Sequence, residues 1–153
     1  MRPFAITVLA ALTLGCQLAA QSDAFTPLLG AWEGEWKINQ GTVDLAGKFR
    51  VTFSNAAPTP EGRFMNLELI RTRLDGKPST DKAKLDRHEY KVEKLQAVSA
   101  DPSRYRWFVA GNCWNADVKA GEMEGFFNAG PCAAMGMGAG ARAIEFTAKK
   151  AGS

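Results

Sequence analysis

The sequence predicts a mainly β chain that folds as a single antiparallel up-and-down barrel of about eight strands, with a β-sandwich as the alternative. Three observations predict it. Apolar and polar residues alternate with period two along most segments, and turn-forming residues separate those segments. Beyond an export-type N-terminal segment, the chain is long enough for one hydrophobic core and one domain.

The N-terminal segment stands apart. Met1-Arg2 is followed by an apolar run from Phe4 to Leu14, then Gly15-Cys16 and the tail Gln17-Leu18-Ala19-Ala20. A basic start, an apolar middle and a small-residue end form the pattern of a secretory signal over 1–20, leaving a barrel domain at 21–153. The run is shorter than the ~20 apolar residues that a membrane span needs. Two other processing routes stay open. Thr13-Leu14-Gly15-Cys16 resembles a lipobox, with the bulky Leu12 one place early, so cleavage before Cys16 would leave a lipid anchor on that cysteine. A retained signal anchor is the other route. The expected location is therefore outside the cytoplasm, secreted or periplasmic, with lipid anchoring in the cell envelope through Cys16 as the alternative.

The strands come in order along the chain. Trp32, Gly34, Trp36 and Ile38 share one face of the first, and Glu33, Glu35 and Lys37 the other. Asn39-Gln40-Gly41 supplies a turn, after which Phe49, Val51 and Phe53 alternate with Lys48, Arg50 and Thr52. Two prolines, Pro58 and Pro60, make 55–62 a loop. A third strand over 63–74 places Met65, Leu67 and Leu69 on one face and Asn66 and Glu68 on the other, and Ile70 breaks the alternation as a bulge would. Asp75-Gly76 signals a further turn.

The stretch 81–98 reads two ways. Leu85, His88, Val92 and Leu95 have helical spacing, whereas Tyr90 and Val92 with flanking charges suit a strand. A tight turn at Ala100-Asp101-Pro102-Ser103 leads into Tyr105, Trp107 and Val109, which alternate with Arg104 and Arg106. A hairpin across that turn accounts for both sides, so the expectation is a strand over 88–98 with one short helix near 81–88. Three short strands complete the pattern: Cys113 to Val118; Glu122 to Asn128, with Met123, Gly125 and Phe127 on one face; and Ala143 to Lys149, with Ile144, Phe146 and Ala148 inward. The glycine-rich run 129–141 before the last strand is a loop.

Charge and cysteine content narrow the function. Nineteen basic against 16 acidic residues leave a net charge of +3, too small for a nucleic-acid footprint. On a strand, Tyr105 and Trp107 face away from Arg104 and Arg106, so that run is core and rim rather than a base-stacking platform. A hydrophobic fraction of 46% argues against disorder. Of three cysteines, Cys16 belongs to processing; Cys113 and Cys132 are left to form one disulfide, closing a loop of about 20 residues and contributing ~3 kcal/mol.

The stretch Phe25-Thr26-Pro27-Leu28-Leu29-Gly30-Ala31-Trp32-Glu33-Gly34-Glu35-Trp36 resembles the first strand of the calycin superfamily, which includes lipocalins, fatty-acid-binding proteins and avidins. Leu28-Leu29 match the apolar approach of those barrels, and Gly30-Ala31-Trp32 their Gly-x-Trp motif. The resemblance implies that Gly30 and Trp32 are structural and that Trp32 closes the barrel bottom, beneath an arginine for which Arg142 is the candidate. The chain departs from the group in lacking a Thr-Asp-Tyr motif, a C-terminal helix and the C-terminal histidine of its haem-binding barrels.

The expected function is binding of a small apolar or amphipathic ligand by an exported lipocalin-like barrel. Trp36, Met65, Leu67, Trp107 and Phe127 would form the cavity wall, and Met135 and Met137 a lid tethered by Cys132. The alternative is a cell-envelope or extracellular protein–protein interaction module, an inhibitor or assembly factor, with a filled barrel. Arg71-Thr72-Arg73 reads as a solvated strand end or an anion contact. An enzyme, a metal site and a cofactor are not expected. His88 is the single histidine, no Gly-x-Ser-x-Gly occurs, and the carboxylate pairs Glu33/Glu35 and Glu122/Glu124 lie on outward faces.

Overall fold

A computed structural model describes residues 24–39, 43–73, 88–98, 103–132 and 143–152. A 3-10 turn (Thr26–Leu28) precedes nine strands: β1 (Gly30–Asn39), β2 (Val43–Ser54), β3 (Glu61–Arg73), β4 (Glu89–Lys91), β5 (Glu93–Ala97), β6 (Arg104–Val109), β7 (Asn112–Lys119), β8 (Glu122–Ala129) and β9 (Ile144–Lys150). They form one antiparallel sheet in the order β4-β3-β2-β1-β9-β8-β7-β6-β5. Apart from β4 and β5, strands adjacent in the chain pair with each other, and the first strand, β1, pairs with the last, β9. The result is a nearly closed up-and-down barrel rather than a sandwich.

The ninth strand is a division of an expected one. The strand expected over 88–98 breaks at Val92 into β4, which pairs with β3 through Phe64 and Tyr90, and β5, which pairs with β6. Val92 N–H donates to Gly62 O at 2.8 Å, Lys94 takes φ 52°, and the β5–β6 register shifts between Glu93 and Gln96. A bulge adds twist, which lets one strand leave β3 and join β6, and so brings the sheet's two free ends together. The expected helix near 81–88 falls, up to residue 87, outside the described residues.

Inward and outward faces follow the alternation on β1, β2, β6, β8 and β9. Trp32 faces Val51, and Tyr105, Trp107 and Val109 are buried between more exposed neighbours. On β3 the faces are the reverse of those expected at its start. Phe64 is the buried residue, 3% exposed, and Met65 lies opposite the outward Arg50. The irregularity expected at Ile70 occurs earlier, where Phe49 pairs with Asn66 but Lys48 with Glu68, leaving Leu67 as the extra residue. Burial of the Phe64 ring against Phe49, at 5.6 Å, outweighs the apolar pull of Met65 and sets this register.

Tight two-residue connections organise the second half. Ala110-Gly111 joins β6 to β7 and Ala120-Gly121 joins β7 to β8, with all four residues at positive φ, from 50° to 82°. That backbone matches the twist of the flanking strands and fixes their register.

The end of the barrel where β1 begins is closed from below. Phe25 and Leu28 are buried under it, Trp32 Nε1–H donates to Leu28 O at 2.7 Å, and Tyr105 O–H donates to Ala24 O at 2.8 Å. Trp32 is wholly buried, and the cation over its ring is Lys150, with Nζ 5.6 Å from the centroid. Arg142 lies outside the described residues. Above this floor sits a cluster of rings. Phe49 contacts Phe64, Trp114 and Phe146, while Trp107 contacts Phe53 and Trp114.

Candidate functional site

Burial of the inward-facing residues changes along the barrel axis. On β1, Trp32 is 0% exposed, whereas Trp36 and Ile38 further up are only half-buried. On β2, Phe53, Val51 and Phe49 are buried and Leu45 is half-buried; on β9, Ala148 and Phe146 are buried and Ile144 is half-buried. Three adjacent strands therefore share one gradient, from a buried lower half to a partly exposed apolar upper end, the cup. Ile38 pairs with Leu45, and Trp36 with both Gly47 and Phe146, so the cup is continuous across β9, β1 and β2.

The Trp36 indole sets the shape of the cup. It lies against Gly47, where any Cβ would overlap the ring atoms, so a bare backbone is needed opposite it. The indole also meets Phe127 edge to face, at 5.7 Å and 84°. Phe127, 5% exposed, stacks in turn on Trp114 at 4.3 Å and 18°, and Trp114 lies nearly parallel to Trp107 at 6.1 Å. A ladder of rings thus runs from the half-open Trp36 down into the core. Within it, the indole N–H groups of Trp107 and Trp114 are buried with no hydrogen-bond acceptor among the described residues.

Of the wall residues expected from the sequence, the fold brings Trp36 and Phe127 together at the cup. Trp107 is wholly buried below it, in the ring cluster. Met65 is on the outer face across from Arg50, and Leu67 is the half-buried bulge residue. Met135 and Met137 lie outside the described residues. Cys113 and Cys132 form the expected disulfide, Cα atoms 4.9 Å apart, which fixes residue 132 beside β7. Sequence reading missed Ile38, Leu45 and Ile144 as cup residues, and Trp114 as the centre of the ring cluster. The signal that marks Trp114 as inward is its alternation with Ala116 and Val118 along β7, all three of them buried.

The outer wall is charged and solvated. Glu33 pairs with Arg50, Lys48 with Glu68 at 3.0 Å, Arg104 with Asp117 at 2.9 Å, and Lys149 with Glu122 at 3.6 Å, all at least 45% exposed. The hydrogen bond and charge of Glu68 raise the Lys48 pKa. Exposed pairs of this kind contribute ~0–1 kcal/mol each and serve mainly to keep the wall polar. Two depressions, of ≈590 and ≈350 Å³, share Glu35, Lys48 and Thr147; charged residues such as Glu122 and Lys149 rim the larger, while the smaller also takes in Trp36, Ile70 and Phe146. Among the described residues no group of three or more His, Cys, Asp or Glu could hold a metal ion, and no helix is long and apolar enough to cross a membrane. The disulfide is compatible with an oxidising, exported compartment.

A nearly closed antiparallel barrel is compatible with a calycin-like fold. The chain has no significant match to a family model, a curated protein or a solved structure.

Proposed function

We propose that this chain is an exported, calycin-like barrel that binds a small apolar or amphipathic molecule in its upper cup. One observation carries the reading: inward apolar residues on three adjacent strands, Trp36, Ile38, Leu45 and Ile144, stay half-open to solvent above a buried aromatic floor. Leaving aligned apolar surface uncovered forgoes ~25 cal/mol per Å², so such a surface is best explained by a ligand that covers it. The signal-like N-terminus supports export, and the disulfide is consistent with it.

The filled lower half favours a second reading, a cell-envelope or extracellular interaction module whose outer surface contacts another protein. The two readings part on a simple measurement. Native mass spectrometry of protein purified from its own compartment, before and after solvent extraction, should show an extractable small molecule. Protein that arrives empty, and whose tryptophan fluorescence is unmoved by medium-chain apolar compounds, would remove the ligand reading and leave the interaction module.

A further inference from the structure

The barrel interior holds two hydrogen-bond donors with no acceptor among the described residues. They are the Nε1–H groups of Trp107, 0% exposed, and Trp114, 2% exposed, whereas the buried Trp32 donates to Leu28 O. Buried indoles ordinarily find a partner, and a stranded donor destabilises the folded state. Phenylalanine at either position would keep most of the ring packing and strand nothing. The larger indole fills core volume that a phenyl ring would leave empty, but packing makes no use of the two N–H groups.

The two indoles are also together and close to the cup. Trp107 and Trp114 are cross-strand partners on β6 and β7. A single ring, that of Phe127, bridges Trp114 to Trp36, with centroids 4.3 Å from the first and 5.7 Å from the second. Resting on the ligand reading of the cup, we propose that the two indole N–H groups receive the polar head of the ligand and that this head is an uncharged oxygen acceptor, a carbonyl. Among the described residues the buried polar side chain is the neutral Asn115 and no cation is buried, so a carboxylate head would be held poorly there. The tail then lies upward along Trp36, Ile38, Leu45 and Ile144, and Phe127 turns aside to admit the head.

The test uses methyl heptyl ketone and its isosteric alkene, in which a methylene group replaces the oxygen. The ketone should bind about tenfold more tightly than the alkene, the advantage expected of donors that are otherwise unpaired. Its binding should move the Trp107 and Trp114 indole N–H signals downfield in proton–nitrogen NMR spectra. Trp107→Phe and Trp114→Phe should each remove one signal and shrink the ketone's advantage severalfold, with alkene affinity unchanged. Equal binding of ketone and alkene with unmoved signals would overturn the head assignment alone; the donors would then be spent on the faces of Phe53 and Phe49, which lie at 75° and 65° to them. Binding of neither compound would overturn the ligand reading as well. The wild-type comparison and its spectra decide the matter even where a variant fails to fold.

Discussion

Replacing Phe49 by alanine tests whether the lower barrel is a solid core. Phe49 is 0% exposed and touches Phe64, Trp114 and Phe146 at centroid distances of 5.6, 5.1 and 5.7 Å. Hydrogen bonds tie β2 to the strands on both sides of it, so the wall cannot collapse into the space left behind. Removing a large ring under those conditions costs ~3–5 kcal/mol. That is a large share of the ~5–15 kcal/mol that holds a typical domain together. In a domain of this size it should lower the melting temperature by roughly 10–20 °C. Phe126→Ala is the control, because that ring is 39% exposed on the outer face and its loss should cost ~1 kcal/mol or less. Urea unfolding with the disulfide intact, at equal m-values, measures both. A Phe49→Ala cost below ~2 kcal/mol, or one no larger than that of Phe126→Ala, would refute the filled lower half.

The same geometry sets three further outcomes. Tyr105→Phe removes the hydrogen bond to Ala24 O that holds the N-terminal closure and should cost ~1 kcal/mol at neutral pH. Burial raises the Tyr105 pKa above its ordinary 10.0, so its contribution is complete below pH 10 and is lost as pH rises through the folded-state value; the alkaline fall in stability should be shallower in Tyr105→Phe, as measured by denaturation at several pH values. Replacing both Cys113 and Cys132 by alanine opens a loop closed across 19 residues and should cost ~3 kcal/mol, read as a lower urea midpoint. Gly47→Val pushes a side chain into the Trp36 ring; it should cost ~1–3 kcal/mol and weaken binding of any cup ligand, as followed by tryptophan fluorescence.

The wall of the barrel was largely legible as sequence. Strict alternation identified the inward faces of β1, β6, β8 and β9, because a strand with one buried face admits little else. Where alternation is diluted, the reading failed. The run from Phe64 to Ile70 offers apolar residues at almost every position, so either face could be chosen, and packing of Phe64 on Phe49 made the choice. The break at Val92 was equally hidden, since nothing local marks the point at which a strand must change partners to close a barrel.

The disulfide pair and the inward direction of Trp32, Trp36, Trp107 and Phe127 were determined by residue type and spacing alone. Their separate fates were not. Trp32 and Trp36 have the same local pattern and point the same way, yet one is sealed and the other half-open. Periodicity reports which side of a strand a residue faces, but carries no information about height along the barrel axis or what stands across the interior. That depends on rings from β2, β3, β6, β7 and β8 meeting in one place, which only the closed tertiary structure brings about.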